Sequence, residues 1–313
     1  MLGIGGFLMA LADSVPGVSG GSIAFILGFY DEFISSLDAL VSGKKQDKIN
    51  ALKFLIKIGI GWIIGMVLAI LVLTSIFEAN IYVISSLFLG FIVFSIPIII
   101  RDEFDSIKGK YYNIIFTVIG IAIVVGLATF NSNDTTATAT ATASTGIMDY
   151  VILFVAGMLG ISAMVLPGIS GSTILLIMGV YMTVLNSVKE LMHLNFSVLP
   201  QVLCFGFGII AGILLVIKLV KMALSKARSA TMYFILGLML GSLYAIVRGP
   251  ESLDNPLPAI SFTGSFTLPT LSIGTFSILF FIIGGVIILG LQVLKNFMEK
   301  KNAEKTEKTK SAT

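Results

Sequence analysis

Pro16-Gly17-Val18-Ser19-Gly20-Gly21-Ser22 is followed, 151 residues later, by Pro167-Gly168-Ile169-Ser170-Gly171-Ser172-Thr173. Neither stretch can lie inside a continuous helix. Proline has no N–H for the preceding turn and its ring collides with that turn, and the glycines admit backbone angles closed to other residues. Both stretches are nevertheless embedded in apolar sequence. Over residues 16–30, eight of 15 positions are identical at this spacing, ending on Gly28 with Gly179 and Tyr30 with Tyr181. The likeness resumes at a spacing of 147. There Gly59, Gly61 and Gly65 match Gly206, Gly208 and Gly212, Leu89-Gly90 matches Leu236-Gly237, and Arg101 matches Arg248. Similarity in this order marks a duplication.

The surroundings of the two motifs fix the solvent. Of 313 residues, 56% are hydrophobic and 12% charged, and the mean hydropathy is +1.02. A soluble domain of this length needs far more surface charge. Runs of about 20 apolar residues recur, long enough to cross a hydrocarbon core of roughly 30 Å. Six spans are expected, at 53–77, 81–100, 111–130, 199–217, 231–247 and 275–294. The interrupted stretches 3–40 and 147–193 are expected to be helix hairpins, although the first limb of the second, 147–166, is itself long enough to span. Alternating patterns typical of an outer-membrane barrel are absent from the sequence. One cysteine, Cys204, excludes an intrachain disulfide, and one histidine, His193, argues against a histidine-based metal site. No cleavable signal peptide is visible, since Ala12-Asp13 runs directly into the first motif. No cofactor, metal or nucleic acid is expected, and no enzymatic activity.

Charge gives the sidedness. If each hairpin returns to the side it came from, segments 44–57, 101–110, 218–228 and 295–310 share one face. They hold 18 of the 20 Lys and Arg, and only Lys189 and Arg248 fall on the other. The positive-inside rule then places both termini in the cytoplasm. Each half is a hairpin plus three spans, so the second copy enters from the opposite side. The expected fold is an all-α integral membrane protein with an inverted-topology repeat, a plan transporters use with the ligand near the midplane. Residues 1–130 form the first repeat and 147–295 the second. Residues 131–146 are a Thr/Ala extracellular linker and 296–313 a disordered cytoplasmic tail. The proline-bearing segment 249–273 is a loop.

The motif chemistry suggests an anion. The stretch before Pro16 is about 12 residues, roughly 18 Å of helix, too short to cross. Broken backbone at membrane depth survives only when buried in protein or lining a polar cavity. After each break, free N–H groups and the positive end of the next helix's dipole accompany Ser19, Gly20, Gly21 and Ser22, or Ser170, Gly171, Ser172 and Thr173. Such a set suits phosphate. The bland alternative is a serine cap on a buried kink, with Pro16, Gly17, Pro167 and Gly168 as helix breaks only. Arg101 and Arg248 are candidates for pairing with phosphate, or simply interfacial arginines. Asp13 has Met164 as its counterpart, and an acid at that depth is a functional candidate, for carrying a proton or holding the turn. Asp31 and Glu32 suit the cytoplasmic interface, and Tyr30 and Tyr181 suit packing. His193 suits an exposed loop.

The run from Gly6 to Ser22, Gly-Phe-Leu-Met-Ala-Leu-Ala-Asp-Ser-Val-Pro-Gly-Val-Ser-Gly-Gly-Ser, closely resembles the opening signature of the prokaryotic polyprenyl-phosphate transporters (PopT type), a family formerly catalogued as a domain of unknown function. Leu166 to Ser172 looks like that family's second motif. The resemblance covers nearly the whole chain apart from the Thr/Ala loop and the tail. It implies undecaprenyl phosphate as substrate, moved from the outer to the cytoplasmic leaflet for cell-wall synthesis. The residues themselves go only as far as an anionic headgroup. They leave room for a small-anion channel or exchanger. A membrane lipid phosphatase is disfavoured by the missing cluster of His, Glu and Arg. Nothing in the sequence sets an oligomeric state.

Overall fold

The computed structural model describes residues 2–13, 19–68, 74–130, 146–248, 260–267 and 271–310. Pro16 and Gly17, and all of the Thr/Ala linker but Gly146, lie outside the described residues. The first interrupted stretch forms three short helices, α1 (Leu2–Asp13), α2 (Gly20–Ile26) and α3 (Tyr30–Ser42). There follow α4 (Lys45–Leu68), α5 (Thr74–Asp102), the single turn α6 (Phe104–Ile107) and α7 (Ile114–Phe130). The second interrupted stretch gives α8 (Ile147–Val165), α9 (Gly171–Ile177) and α10 (Tyr181–Met192), followed by α11 (Leu199–Lys226) and α12 (Arg228–Arg248). Strands β1 (Phe266–Thr267), β2 (Ser272–Ile273) and β3 (Phe276–Ser277) precede α13 (Ile278–Lys310).

Among the described residues six segments are long and apolar enough to cross a membrane: α4, α8, α12, residues 82–102 of α5, 111–129 around α7 and 196–226 around α11. Five of them overlap expected spans, although α4 ends at Leu68, well short of the expected 53–77, and Thr74–Phe77 belong to α5. The sixth is α8, the first limb of the second interrupted stretch, which has 19 residues where α1 has 12. Conversely, the expected span 275–294 carries a shorter apolar helix, Ile278–Val293. Its start is taken by an antiparallel three-stranded sheet in the order β1-β2-β3. That sheet also corrects the reading of 249–273 as plain loop. The tail differs as well: α13 continues through Lys310. The Glu, Lys and Ala residues there are strong helix formers, with no Gly or Pro to stop them.

Packing follows the glycines. On α1 and α4, a methyl group added to Gly6 would overlap the carbonyl of Ile58, one on Gly61 that of Gly3, and one on Gly65 that of Phe7. On α8 and α11 the same holds for Gly157 with Phe205, Gly208 with Phe154, and Gly212 with Met158. Each second-half contact is the first-half contact moved by the 151 and 147 spacings. The outer pairs repeat too. Gly90 abuts Phe281 and Gly284 abuts Leu87 between α5 and α13, while Gly237 abuts Thr117 and Gly120 abuts Phe234 between α12 and α7. With lipid as solvent, such backbone approaches supply dispersion contact that side-chain hydrophobicity cannot. α5 and α12 are the most buried long helices, whereas α4, α7 and α11 expose rows such as Ile60, Ile63 and Ile64. All seven residues of α2 are buried.

Candidate functional site

The two motifs meet inside this bundle. α8 ends at Val165, and Pro167, having no N–H, cannot cap its last carbonyls. Hydroxyls of the first half do so instead. Ser19 Oγ lies 3.2 Å from the Leu166 carbonyl and 3.5 Å from that of Met164, and Tyr30 donates its hydroxyl to the Val165 carbonyl at 3.2 Å. In return Gly168 N–H donates to Ser22 Oγ at 2.8 Å. Ser19, Ser22 and Tyr30 are each at most 2% exposed. Gly168 holds φ at +90°, and a Cβ there would sit 2.7 Å from the Leu238 backbone of α12. Only glycine fits that turn.

The N-terminus of α2 is occupied from within. Ser19 caps it with extended backbone, its Oγ accepting from Gly21 N–H at 3.2 Å and its carbonyl from Ser22 N–H at 3.0 Å. Gly20 N–H donates to Asp13 Oδ1 at 2.7 Å, and Trp62 Nε1 on α4 donates to Asp13 Oδ2 at 3.1 Å. Asp13 thus fills, with an internal carboxylate, a position the sequence suggested for a ligand anion. In the second motif Ser170 is buried and shares a 2.8 Å hydrogen bond with Ser172. Gly171 packs on the Gly160 carbonyl, and Thr173 is described only as part of α9. Among the described residues no buried side-chain polar atom lacks a partner, and no group of three His, Cys, Asp or Glu could hold a metal ion.

The arginines stand apart from this seam. Arg101 has a 68% exposed side chain and lies 3.6 Å from Asp102, and exposed Arg248 donates to the Tyr244 hydroxyl at 2.9 Å. His193 is exposed in a turn. Sequence reasoning did not find Trp62 or Arg228. Trp62 is the only tryptophan and lies 49 residues from Asp13. Arg228 opens α12 and bridges Asp31 and Glu103 of the first half. It lines a half-open cavity of about 150 Å³ together with Phe25, Tyr30 and Ile99. An arginine at the mouth of one apolar span, with an acid just past the end of another and one at the start of α3, was the available signal.

Crossing helices packed around a buried polar seam define an all-α, multi-pass membrane protein. Residues 9–260 match the family described as undecaprenyl phosphate translocase-like, and the chain belongs to that family. The resemblance read at Gly6–Ser22 is borne out at this level. A Staphylococcus aureus protein named polyprenyl-phosphate transporter is 36% identical over 253 residues, covering 78% of this chain and 84% of the relative. A Vibrio cholerae protein of the same name is 31% identical over 260 residues, 80% of this chain and 78% of the relative. No solved structure matches the chain.

Proposed function

We propose that this protein moves a polyprenyl phosphate, undecaprenyl phosphate foremost, from the outer to the cytoplasmic leaflet of the bacterial cell membrane, returning it to cell-wall polymer synthesis. The family match running through both Pro-Gly motifs carries this reading. In it the halves form an inverted repeat, with the interrupted helices re-entrant, both termini cytoplasmic and the prenyl chain left in lipid. The glycine contacts that recur at matched spacings support the duplication. The phosphate is received between Ser19–Ser22 and Ser170–Thr173, with Arg101 and Arg248 gathering headgroups at the ends of their helices.

Binding requires the seam to part. Its three described cross-half donors, the Ser19 and Tyr30 hydroxyls and the Gly168 N–H, make neutral hydrogen bonds. Each is worth about 0.5–1.5 kcal/mol net, so parting them costs roughly 2–5 kcal/mol. A phosphate offers charge-assisted bonds about twice as strong in return. That near balance suits a carrier whose states differ by a few kcal/mol. Asp13 is the proton carrier in this scheme. Both its oxygens accept N–H bonds, so a proton there removes the charge that strengthens those bonds and loosens the first turn.

The test uses proteoliposomes holding radiolabelled undecaprenyl phosphate and an impermeant phosphatase outside. The expected result is that the protected inner-leaflet label becomes hydrolysable only when the protein is present. Label that stays locked in its leaflet refutes the proposal. Chloride flux in vesicles lacking the lipid would favour an anion channel or exchanger instead, and phosphate release from undecaprenyl diphosphate would favour a phosphatase.

A further inference from the structure

Arg228 sits where three elements converge. From the first turn of α12 its Nη1 reaches Asp31 Oδ2 on α3 at 2.9 Å, and its Nε reaches Glu103 Oε2, between α5 and α6, at 3.0 Å. Its Nη2 takes the second Glu103 oxygen, making that pair bidentate. A second tie between the same halves, Lys221 of α11 to Asp38 of α3, lies further along α3. Among the described residues Arg228 is the only cation lining the 150 Å³ cavity, whose apolar wall is Phe25, Ile26 and Ile99 and which Asp102 lines beside Asp31 and Glu103. Tyr30 also lines it, and the Tyr30 hydroxyl is spent on Val165 in the motif seam. Consecutive residues of α3 therefore hold the two devices: Tyr30 the seam and Asp31 the arginine.

We propose that Arg228, Asp31 and Glu103 form an ionic latch over this cavity, and that a phosphate monoester opens it by taking Arg228 from the two carboxylates. The inference rests on the headgroup reading above. A phosphate monoester carries a charge of about −1.5 to −2 at neutral pH, close to that of the two carboxylates together. It also presents the paired oxygens that suit a guanidinium fork. Once phosphate holds Arg228, Asp31 and Glu103 face it as uncompensated like charges. Repulsion then drives the start of α3 away from α12 and pulls Tyr30 from the seam. The latch belongs to one face only. At the duplication spacings Asp31 is replaced by Met182, and Arg228 by Ile81. The two faces therefore open against different barriers. The latched face is the one bordered by the lysine-rich loops.

The test compares R228A, R228K and the isosteric pair D31N/E103Q in the proteoliposome assay, reading the half-saturating mole fraction of undecaprenyl phosphate separately from the maximal rate. R228A is expected to raise half-saturation roughly tenfold, the loss of one charge-assisted pair, and R228K to recover part of it. D31N/E103Q is expected to lower half-saturation severalfold, because it frees the arginine. Equal rate losses in all three variants with no change in half-saturation would overturn the latch and leave an ion pair that only holds the fold. A wild-type protein that moves no lipid would sink the headgroup reading first. The latch would then be judged alone, by maleimide labelling of I99C in a C204A background. Faster labelling with D31N/E103Q supports it, and an unchanged rate overturns it.

Discussion

Replacing Tyr30 by phenylalanine removes one hydroxyl from the seam and little else. The ring is 1% exposed and stands edge-on to Phe25, with centroids 5.7 Å apart, so its packing survives the change. What is lost is the 3.2 Å bond to the Val165 carbonyl at the end of α8. That carbonyl has no helical donor beyond it, because the chain turns at Leu166-Pro167. A buried acceptor left without a partner costs about 1–3 kcal/mol, and membrane hydrogen bonds fall toward the low end of such ranges. Taking about 1–2 kcal/mol, the ratio of parted to closed seam rises roughly five- to thirtyfold. A cysteine at Ile169, 8% exposed in the closed seam, reports this. In a C204A background, maleimide should label it faster in the Y30F variant by that factor, with a lower thermal midpoint in detergent. If labelling rate and midpoint both match the parent, the Tyr30 bond does not help to hold the seam, and the account of α8 being capped by the first half fails.

Other substitutions probe the remaining contacts. G168A forces a side chain into φ +90° and against the Leu238 backbone; it should destabilise by about 1–3 kcal/mol, read as lost thermal stability in detergent. G61A and G208A should give matching losses, because their methyl groups meet equivalent carbonyls, Gly3 and Phe154; tolerance of one alone would contradict equivalent packing. W62F leaves Asp13 with Gly20 N–H as its remaining described partner and should cost about 1.5–3 kcal/mol. Adding D13N should recover part of this, since a neutral amide needs fewer donors, and a double-mutant thermal cycle measures the coupling. R101A and R248A remove exposed side chains and should leave stability within about 0.5 kcal/mol, so a shift in half-saturation for lipid would isolate their part in headgroup capture.

How much of this was legible depended on range. α4, α5, α7, α11 and α12 announce themselves because lipid demands an unbroken apolar run, which a sequence displays directly. α13 was expected as well, at 275–294, but its start was misplaced, since Ser272–Ser277 pair into a sheet just before it, and strand pairing depends on a partner elsewhere in the chain. Likewise, Ser19 and Ser22 could be placed beside a helix start from local spacing. That the Ser19 hydroxyl donates to a carbonyl 147 residues away, and the Ser22 hydroxyl accepts from an N–H 146 residues away, could not, because a hydroxyl is indifferent to its partner until tertiary contact supplies one. Asp13 stood out as a buried acid without revealing Trp62. Arg228 was counted only as one cation among 18 on its face, and its tie to Glu103, 125 residues away, makes it more than that.

The outer helix pairs have a consequence for how the molecule is made. α5 finds its glycine partner on α13, and α7 finds its own on α12, so each half lends a helix to the other. Ser277 N–H closes on Ser86 Oγ across 191 residues. During synthesis α5 enters the bilayer early and must wait, its Gly90 groove unfilled, until nearly the whole chain has emerged. A ribosome stalled after α12 would leave a helix in lipid with an open docking face, a target for membrane quality control. The halves repeat the same glycine contacts at matched spacings, yet neither is a module that could be completed and released alone.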